Sequence, residues 1–168
     1  MGRDVMNDLK PGTVGESGAV TPDIRPMTAA EAQLALPALR ELRPHASALA
    51  SAETFAAHLG TAAPEHYRLA GAFESGREEA AAVAGYRIMT TLAFGRMLYL
   101  DDLSTLPAAR GRGHALALLR WLESEARRLD CKALHLDSGV GSHRFDAHRL
   151  YLKAGLNITC HHFEKVLT

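Results

Sequence analysis

The chain has 168 residues, 47% hydrophobic and 23% charged, which suits one globular domain large enough to bury a core without disulfide or metal staples. Nineteen Lys+Arg balance nineteen Asp+Glu, for a formal net charge of +0. That balance argues against a protein that coats nucleic acid or docks on membranes through a polybasic patch, since both need surplus cations. Cys131 and Cys160 form no CxxC pair and are too few for a secreted disulfide scaffold, so both are expected as reduced, buried thiols of a cytoplasmic protein. No apolar run is long enough to span a bilayer, and the N-terminus lacks the layout of a signal peptide.

Residues 1–22 are punctuated by Gly and Pro without helical or strand period, and are expected to be a disordered leader to a domain over 23–168. Asp23 to Met27 reads as a short strand whose Pro26 suits a sheet edge. Thr28, with Glu31 three residues on, predicts a capping box and a helix carrying Leu34, Leu36, Leu39 and Leu42, kinked or interrupted at Pro37. A second helix is expected from Ser51, as cap, to Leu59, with Gly60 as stop. His66 to Phe73, Ala81 to Thr91 and Met97 to Thr105 suit three strands with short connections, which predicts an antiparallel meander.

Arg112 to Leu129 carries the clearest helical stripe. Ala115, Leu118, Leu119, Leu122, Ala126 and Leu129 fall at i, i+3, i+4, i+7, i+11 and i+14, with Glu123 and Arg127 as an i,i+4 pair on the other side. Lys132 to Asp137 reads as a strand, Arg144 to Lys153 as a helix stopped at Gly155, and Leu156 to Val166 as one or two closing strands. This order predicts an α/β fold with a mixed, mostly antiparallel sheet and helices on both faces. The unit from Met97 to Asp137 is expected to be a parallel crossover.

The informative segment is Leu103 to Ala115, where a strand runs into a Gly- and Arg-rich turn that opens the long helix. Free amides and the positive end of the dipole at a helix N-terminus favour a phosphate. Gly111 and Gly113 let the backbone approach closely, and Arg110 and Arg112 add charge. The Lys-Ser/Thr of a P-loop is absent, and Leu116 stands where a dinucleotide fingerprint would place its third glycine. A solvated, Gly-rich connector is the bland alternative for a motif this short.

The pattern Arg110-x-x-Gly113-x-Ala115 resembles the pyrophosphate-binding signature of the GNAT superfamily of acetyl-CoA-dependent N-acetyltransferases. The run Ala147-His148-Arg149-Leu150-Tyr151-Leu152-Lys153-Ala154-Gly155-Leu156 is similar to that family's C-terminal motif, and one strand separates the two. The resemblance implies a splayed central sheet. It implies that Leu103, Ser104 and Thr105 offer backbone groups to a pantetheine arm, and that Arg110, Gly111, Arg112, Gly113, His114 and Ala115 wrap the pyrophosphate. It makes acetyl-CoA the co-substrate, a small-molecule or peptide amine the acceptor, and Tyr151 the acid for the leaving thiolate. Where many relatives carry an Asn seven residues before the tyrosine, this chain has Arg144.

For the base the chain offers Asp101 and Asp102. Neighbours on a strand point to opposite faces, so at most one is expected to enter the cleft. Asp101, nine residues before Arg110, is the preferred candidate because the resemblance implies a catalytic or substrate-binding side chain there. A solvated strand-end carboxylate or an anchor for the substrate ammonium is the alternative reading of Asp101, and His148 or direct loss of the proton to water are the alternatives for the base. Nine histidines invite a metal, but none of their spacings fits a zinc site, so no metal is expected. No GxSxG elbow supports a hydrolase. The rival reading keeps the fold and loses the chemistry, leaving an acyl-CoA-binding sensor or interaction module. Neither nucleic acid nor a membrane is expected as partner. Exposed strand edges leave a homodimer open.

Overall fold

β1 (Asp23–Met27), α1 (Ala32–Leu42), α2 (Ala52–Ala62), β2 (Tyr67–Phe73), β3 (Ala82–Thr91), β4 (Gly95–Thr105), α3 (His114–Arg128), β5 (Ala133–Leu136) and α4 (Phe145–Lys153) follow one another along the chain. They belong to a computed structural model that describes residues 21–167. The leader expected over 1–22 therefore lies almost wholly outside the described residues. Five strands form one sheet in the order β1-β2-β3-β4-β5. The first four pair antiparallel, and β5 joins β4 in parallel after the α3 crossover, as the order of elements predicts.

Local signals set most boundaries. Thr28 and Glu31 form the expected capping box, with the Thr28 amide donating to Glu31 Oε2 at 3.0 Å. The first turn after it, Ala29–Glu31, is a 3-10 turn, and α1 follows. α1 runs through Pro37 without interruption. An interior proline costs roughly 3 kcal/mol. Leu36 and Leu39 are both buried beside it, and at about 1.5–3 kcal/mol per buried side chain they offset that cost.

Ser51 caps α2 by accepting from the Thr54 amide at 3.2 Å. Gly60 does not stop this helix, which continues to Ala62. A mid-helix glycine costs roughly 0.5–1 kcal/mol, less than the gain from burying Leu59 and Ala62 on the inner side. The chain leaves helix through the turn Ala63–Glu65, with Pro64 inside it and His66 left-handed at φ 61°.

The two faces of the sheet carry separate cores. On one face α3 and α4 bring Leu118, Leu119, Leu122 and Tyr151 against Ala84, Tyr86, Ile88, Leu98 and Leu100. On the other, Leu36, Leu39, Phe55 and Leu59 of α1 and α2 pack on Met27, Leu69 and Val83. β3 shows the alternation directly, with Val83 on one face and Ala84 and Tyr86 on the other.

The closing strands expected from Leu156 to Val166 do not form. Ile158, Phe163, Val166 and Leu167 are exposed there. Strand-favouring side chains make a strand only with a covered face, and this tail leaves those four uncovered while touching the β5 end of the sheet through His162 and Asp137 at 2.9 Å. Cys131 and Cys160 are free, as expected, but neither is fully buried: Cys131 is half-buried and Cys160, on the tail, is exposed. No helix among the described residues is long and apolar enough to cross a membrane.

Leu118 is fully buried at the centre of the α3 stripe. Leu118→Ala is expected to lower unfolding free energy by about 2–5 kcal/mol, read from urea denaturation. A loss under about 0.5 kcal/mol would show that α3 does not anchor that face.

Candidate active site

Two irregularities in β4 create the site. The first is on its β5 side, where pairing covers only Met97 to Leu100 against Ala133 to Leu136. Beyond Leu100, β4 continues to Thr105 with that edge open. Along such a stretch alternate residues turn backbone groups outward, free to pair with an extended ligand arm. The second is on its β3 side, where the register slips between Gly85 and Tyr86. Tyr86 faces Leu100 and Gly85 faces Asp102, so Asp101 is the extra residue of a β-bulge.

The bulge overturns the expectation that Asp101 and Asp102 point to opposite faces. Leu98, Leu100 and Leu103 all pack toward α3, a spacing that skips a residue. Asp101 and Asp102 both line a cavity on the opposite face. A glycine within a strand is a sequence signal for a bulge or a close approach, and Gly85 marks both. A Cβ there would collide with the Tyr67 hydroxyl, which lies against the bare backbone.

That cavity, of about 400 Å3, opens between α1, α2 and the sheet. Asp102 accepts from Arg43 Nε at 2.9 Å and from the Tyr67 hydroxyl at 3.0 Å. Asp101 accepts from Arg87 Nε at 3.1 Å, and Arg87 Nη1 also reaches Glu65 at 2.7 Å. Burial pushes the Asp101 pKa up, although the Arg87 guanidinium pulls it back. Burial, together with the neighbouring Asp102 charge, holds the Tyr67 phenol protonated far above its ordinary value. Arg43, Glu65, Tyr67 and Arg87 had no motif to announce them in the sequence, because they meet only through non-local pairing.

At the start of α3, Gly111 and Gly113 adopt left-handed φ values of 74° and 88°. An added Cβ at either position would meet nothing within 4 Å, so the space in front of the turn is open. The amides of Gly111, Arg112 and Gly113 donate to no backbone acceptor among the described residues. Free amides, open space and the positive end of a 15-residue helix fit a diphosphate.

The side chains there are engaged otherwise. Arg110 Nε donates to the Thr105 carbonyl at 3.3 Å and its Nη2 to Glu41 at 3.3 Å. Arg112 pairs with Glu74 at 2.9 Å. The His114 ring is buried, with Nε2 2.6 Å from Glu74 Oε1 and Nδ1 without a partner. His114 therefore faces Glu74 with its imidazole, leaving only its backbone for the turn. Ala115 is half-buried behind it. Of the strand residues, Leu103 packs toward α3, while Ser104 Oγ donates to the Ala38 carbonyl of α1 at 2.5 Å.

Glu74, just after β2, is the residue that sequence reasoning missed at this end. Burial acts to raise its pKa, but His114, Arg112 and Arg77 outweigh that and hold it below the ordinary 4.5.

Tyr151 sits on α4 at 9% exposure, on the α3 side of the sheet. Burial raises its pKa, partly opposed by Arg144, so the phenol is a proton donor at neutral pH. Arg144 takes a different role from an amide side chain and donates from Nε to Ser138 Oγ at 3.3 Å. His148 binds the Gly139 carbonyl through Nε2 at 2.9 Å and does not line the cavity with Asp101. Tyr151 and Asp101 thus lie on opposite faces of the sheet. Among the described residues no group of three or more His, Cys, Asp or Glu side chains could hold a metal ion.

Residues 32–156 match the family model described as the acetyltransferase (GNAT) family. The chain belongs to this family. A stretch of 68 residues is 35% identical to the aminoalkylphosphonate N-acetyltransferase of Salmonella typhimurium, covering 40% of this chain and 43% of that protein. The chain thus matches less than half the length of that curated relative. An acetyltransferase of Trypanosoma brucei superposes with a TM-score of 0.72 at 18% identity, over 86% of this chain and 99% of that one. An aminoglycoside N-acetyltransferase in complex with CoA gives 0.70 at 17% identity, over 86% and 93%. At these identities the likeness is one of fold, and it agrees with the mixed, mostly antiparallel GNAT sheet.

Glu74 ties the end of β2 to the first turn of α3. Its lowered pKa contributes stability that is present above pH 4.5 and lost as pH falls through the folded value. Glu74→Gln is expected to lower the unfolding midpoint at pH 7, with the gap to the parent narrowing as pH falls below 4.5 and through the folded value. A gap that stays the same size across that acid range would show that the carboxylate charge is not what holds the turn.

Proposed function

We propose that this GNAT protein is an N-acetyltransferase that moves an acetyl group from acetyl-CoA to a primary amine. The observation that carries the reading is the open edge of β4 running straight into the free amides at Gly111 to Gly113. Acetyl-CoA supplies an activated acyl group on a thiol leaving group. The turn Arg110 to Ala115 binds the diphosphate through its amides, with Arg110, whose pair with Glu41 is exposed, free to exchange its carboxylate partner for phosphate. Exposed ion pairs contribute only about 0–1 kcal/mol, so that exchange costs little. Leu103, Ser104 and Thr105 offer backbone groups to the pantetheine arm, and one outward amide there holds the carbonyl oxygen as charge develops on it.

The acceptor arrives as an ammonium and must lose a proton before its lone pair can attack. Asp101, with its pKa raised by burial, takes that proton. The new C–N bond forms as the C–S bond breaks, and Tyr151 donates its phenolic proton to the departing sulfur. Support for both roles comes from the chemistry of the two groups, a buried phenol that keeps its proton and a carboxylate whose affinity for a proton burial raises, on opposite faces of the sheet. The Salmonella relative is named for an aminoalkylphosphonate acceptor, which makes small amines the first class to try here.

Calorimetric titration with acetyl-CoA is the first test, with desulfo-CoA as positive and ATP as negative control. Saturable binding of both CoA compounds and none of ATP is expected. Gly113→Val is expected to abolish that binding while cooperative unfolding persists, though strain at φ 88° costs roughly 1–3 kcal/mol. Unchanged affinity in that variant would sink the cradle. Binding without thiol release for any amine would point instead to an acyl-CoA sensor on the same fold.

Tyr151→Phe is expected to lower kcat by about 10²-fold with little change in acetyl-CoA affinity. Asp101→Asn is expected to lower kcat/KM similarly and to remove its acidic limb, which in the parent lies above the ordinary aspartate value of 3.8. An Asp101→Asn variant that keeps the parent pH profile would return the base role to water or His148.

A further inference from the structure

We infer that the acceptor is a compact monoammonium carried on an apolar body with no anionic group, bound in the cavity between α1, α2 and the bulge of β4. This rests on the acetyl-transfer reading and names the substrate class of its second site. Three observations combine. The cavity is about 400 Å3, at the small end of the range that takes drug-sized ligands. Its ionisable lining consists of the carboxylates of Glu65, Asp101 and Asp102, the guanidiniums of Arg43 and Arg87 and the imidazole of His58. Among the permanently charged groups, three carboxylates against two guanidiniums leave a single negative charge, which one ammonium balances. Its remaining walls are largely apolar, and Leu39, Leu49 and Phe55 among them are buried and held in the α1–α2 core.

The placement of these groups orients the ligand. Asp101 and Asp102 lie at the bulge, where β4 leaves β5, so the ammonium end sits beside the open edge that takes the acyl group. The apolar body then lies toward Leu49 and Phe55. Each guanidinium is already committed, Arg43 to Asp102 at 2.9 Å and Arg87 to Asp101 at 3.1 Å and Glu65 at 2.7 Å. A phosphonate or carboxylate on the ligand would have to break these pairs and leave the aspartates, 17–20% exposed, without counter-ions. A polyamine would bring a second ammonium against apolar walls with no carboxylate left for it.

The test measures acceptor binding and acceptor turnover separately on the full chain. Phenethylamine, spermidine, 2-aminoethylphosphonate and a lysine-containing peptide are titrated calorimetrically into the protein. The same four are then compared by thiol release at saturating acetyl-CoA. Phenethylamine is expected to bind most tightly and to show a kcat/KM at least about tenfold above the other three. Asp102→Asn is expected to weaken its binding about tenfold or more. Arg43→Gln, which leaves two uncompensated negative charges, is expected to shift preference toward spermidine by about tenfold.

Faster turnover of spermidine, 2-aminoethylphosphonate or the peptide, with acetyl-CoA bound normally, overturns the inference and leaves the transfer reading standing. Acetyl-CoA that does not bind overturns the transfer reading, and phenethylamine titration then still judges the cavity by itself. No phenethylamine binding, or binding indifferent to Asp102→Asn with both proteins folded, also overturns the inference.

Discussion

One extra residue in β4 is the constraint on which the site depends. With Asp101 left out of the ladder, the strand bends where its partnership with β5 ends. The bulge forfeits ladder bonds, each worth about 0.5–1.5 kcal/mol. Compensation comes from side chains that only this geometry can engage. Asp102 takes hydrogen bonds from both Arg43 and Tyr67, and the Tyr67 hydroxyl fits because Gly85 presents no Cβ. A hydrogen bond to a charged group contributes about 1.5–3 kcal/mol, enough to offset the lost ladder. The same residues that stabilise the irregularity also line the cavity between α1, α2 and the sheet.

The turn before α3 divides its groups differently. Its backbone amides and the positive end of the α3 dipole are left free, while its charged side chains are occupied by Glu41 and Glu74. Glu74 meets the buried His114 imidazole and the Arg112 guanidinium together, so the first turn of α3 is fixed from β2 across the sheet. A turn held in this way keeps its amides aimed before any ligand arrives, which lowers the ordering cost of binding. The left-handed Gly111 and Gly113 allow the backbone itself to be the contacting surface.

How much of this was legible in the sequence depended on the range of the cause. The α3 stripe, the caps at Thr28 and Ser51, and the crossover from β4 to β5 are written locally, and they form where the sequence puts them. Pro37 and Gly60 misled because their local costs are smaller than the burial of Leu36, Leu39 and Leu59 around them. The Asp101–Asp102 doublet misled because alternation is a local rule and the bulge is set by pairing with β3. Gly85 was the available clue. The tail after Gly155 misled because strand propensity has no effect without a face that covers the side chains, and Ile158, Phe163, Val166 and Leu167 are exposed. Glu74 was invisible because its partners lie forty residues away in sequence, at Arg112 and His114.

The sheet also acts as a partition between two chemistries. Tyr151 is embedded in the α3–α4 core, where burial keeps its proton on. Asp101 faces the α1–α2 cavity, where burial raises its affinity for a proton while Arg87 keeps it from losing its charge altogether. A phenol and a carboxylate on opposite faces of the sheet cannot neutralise each other directly. α1 is tied to that strand just beyond the bulge, through the Ser104 hydroxyl and the Ala38 carbonyl. Arg43, at the C-cap of the same helix, therefore reaches Asp102 from a fixed origin. The cavity wall that would select the acceptor and the strand that would present the acyl group are thus held as one rigid unit, which is what near-attack geometry requires.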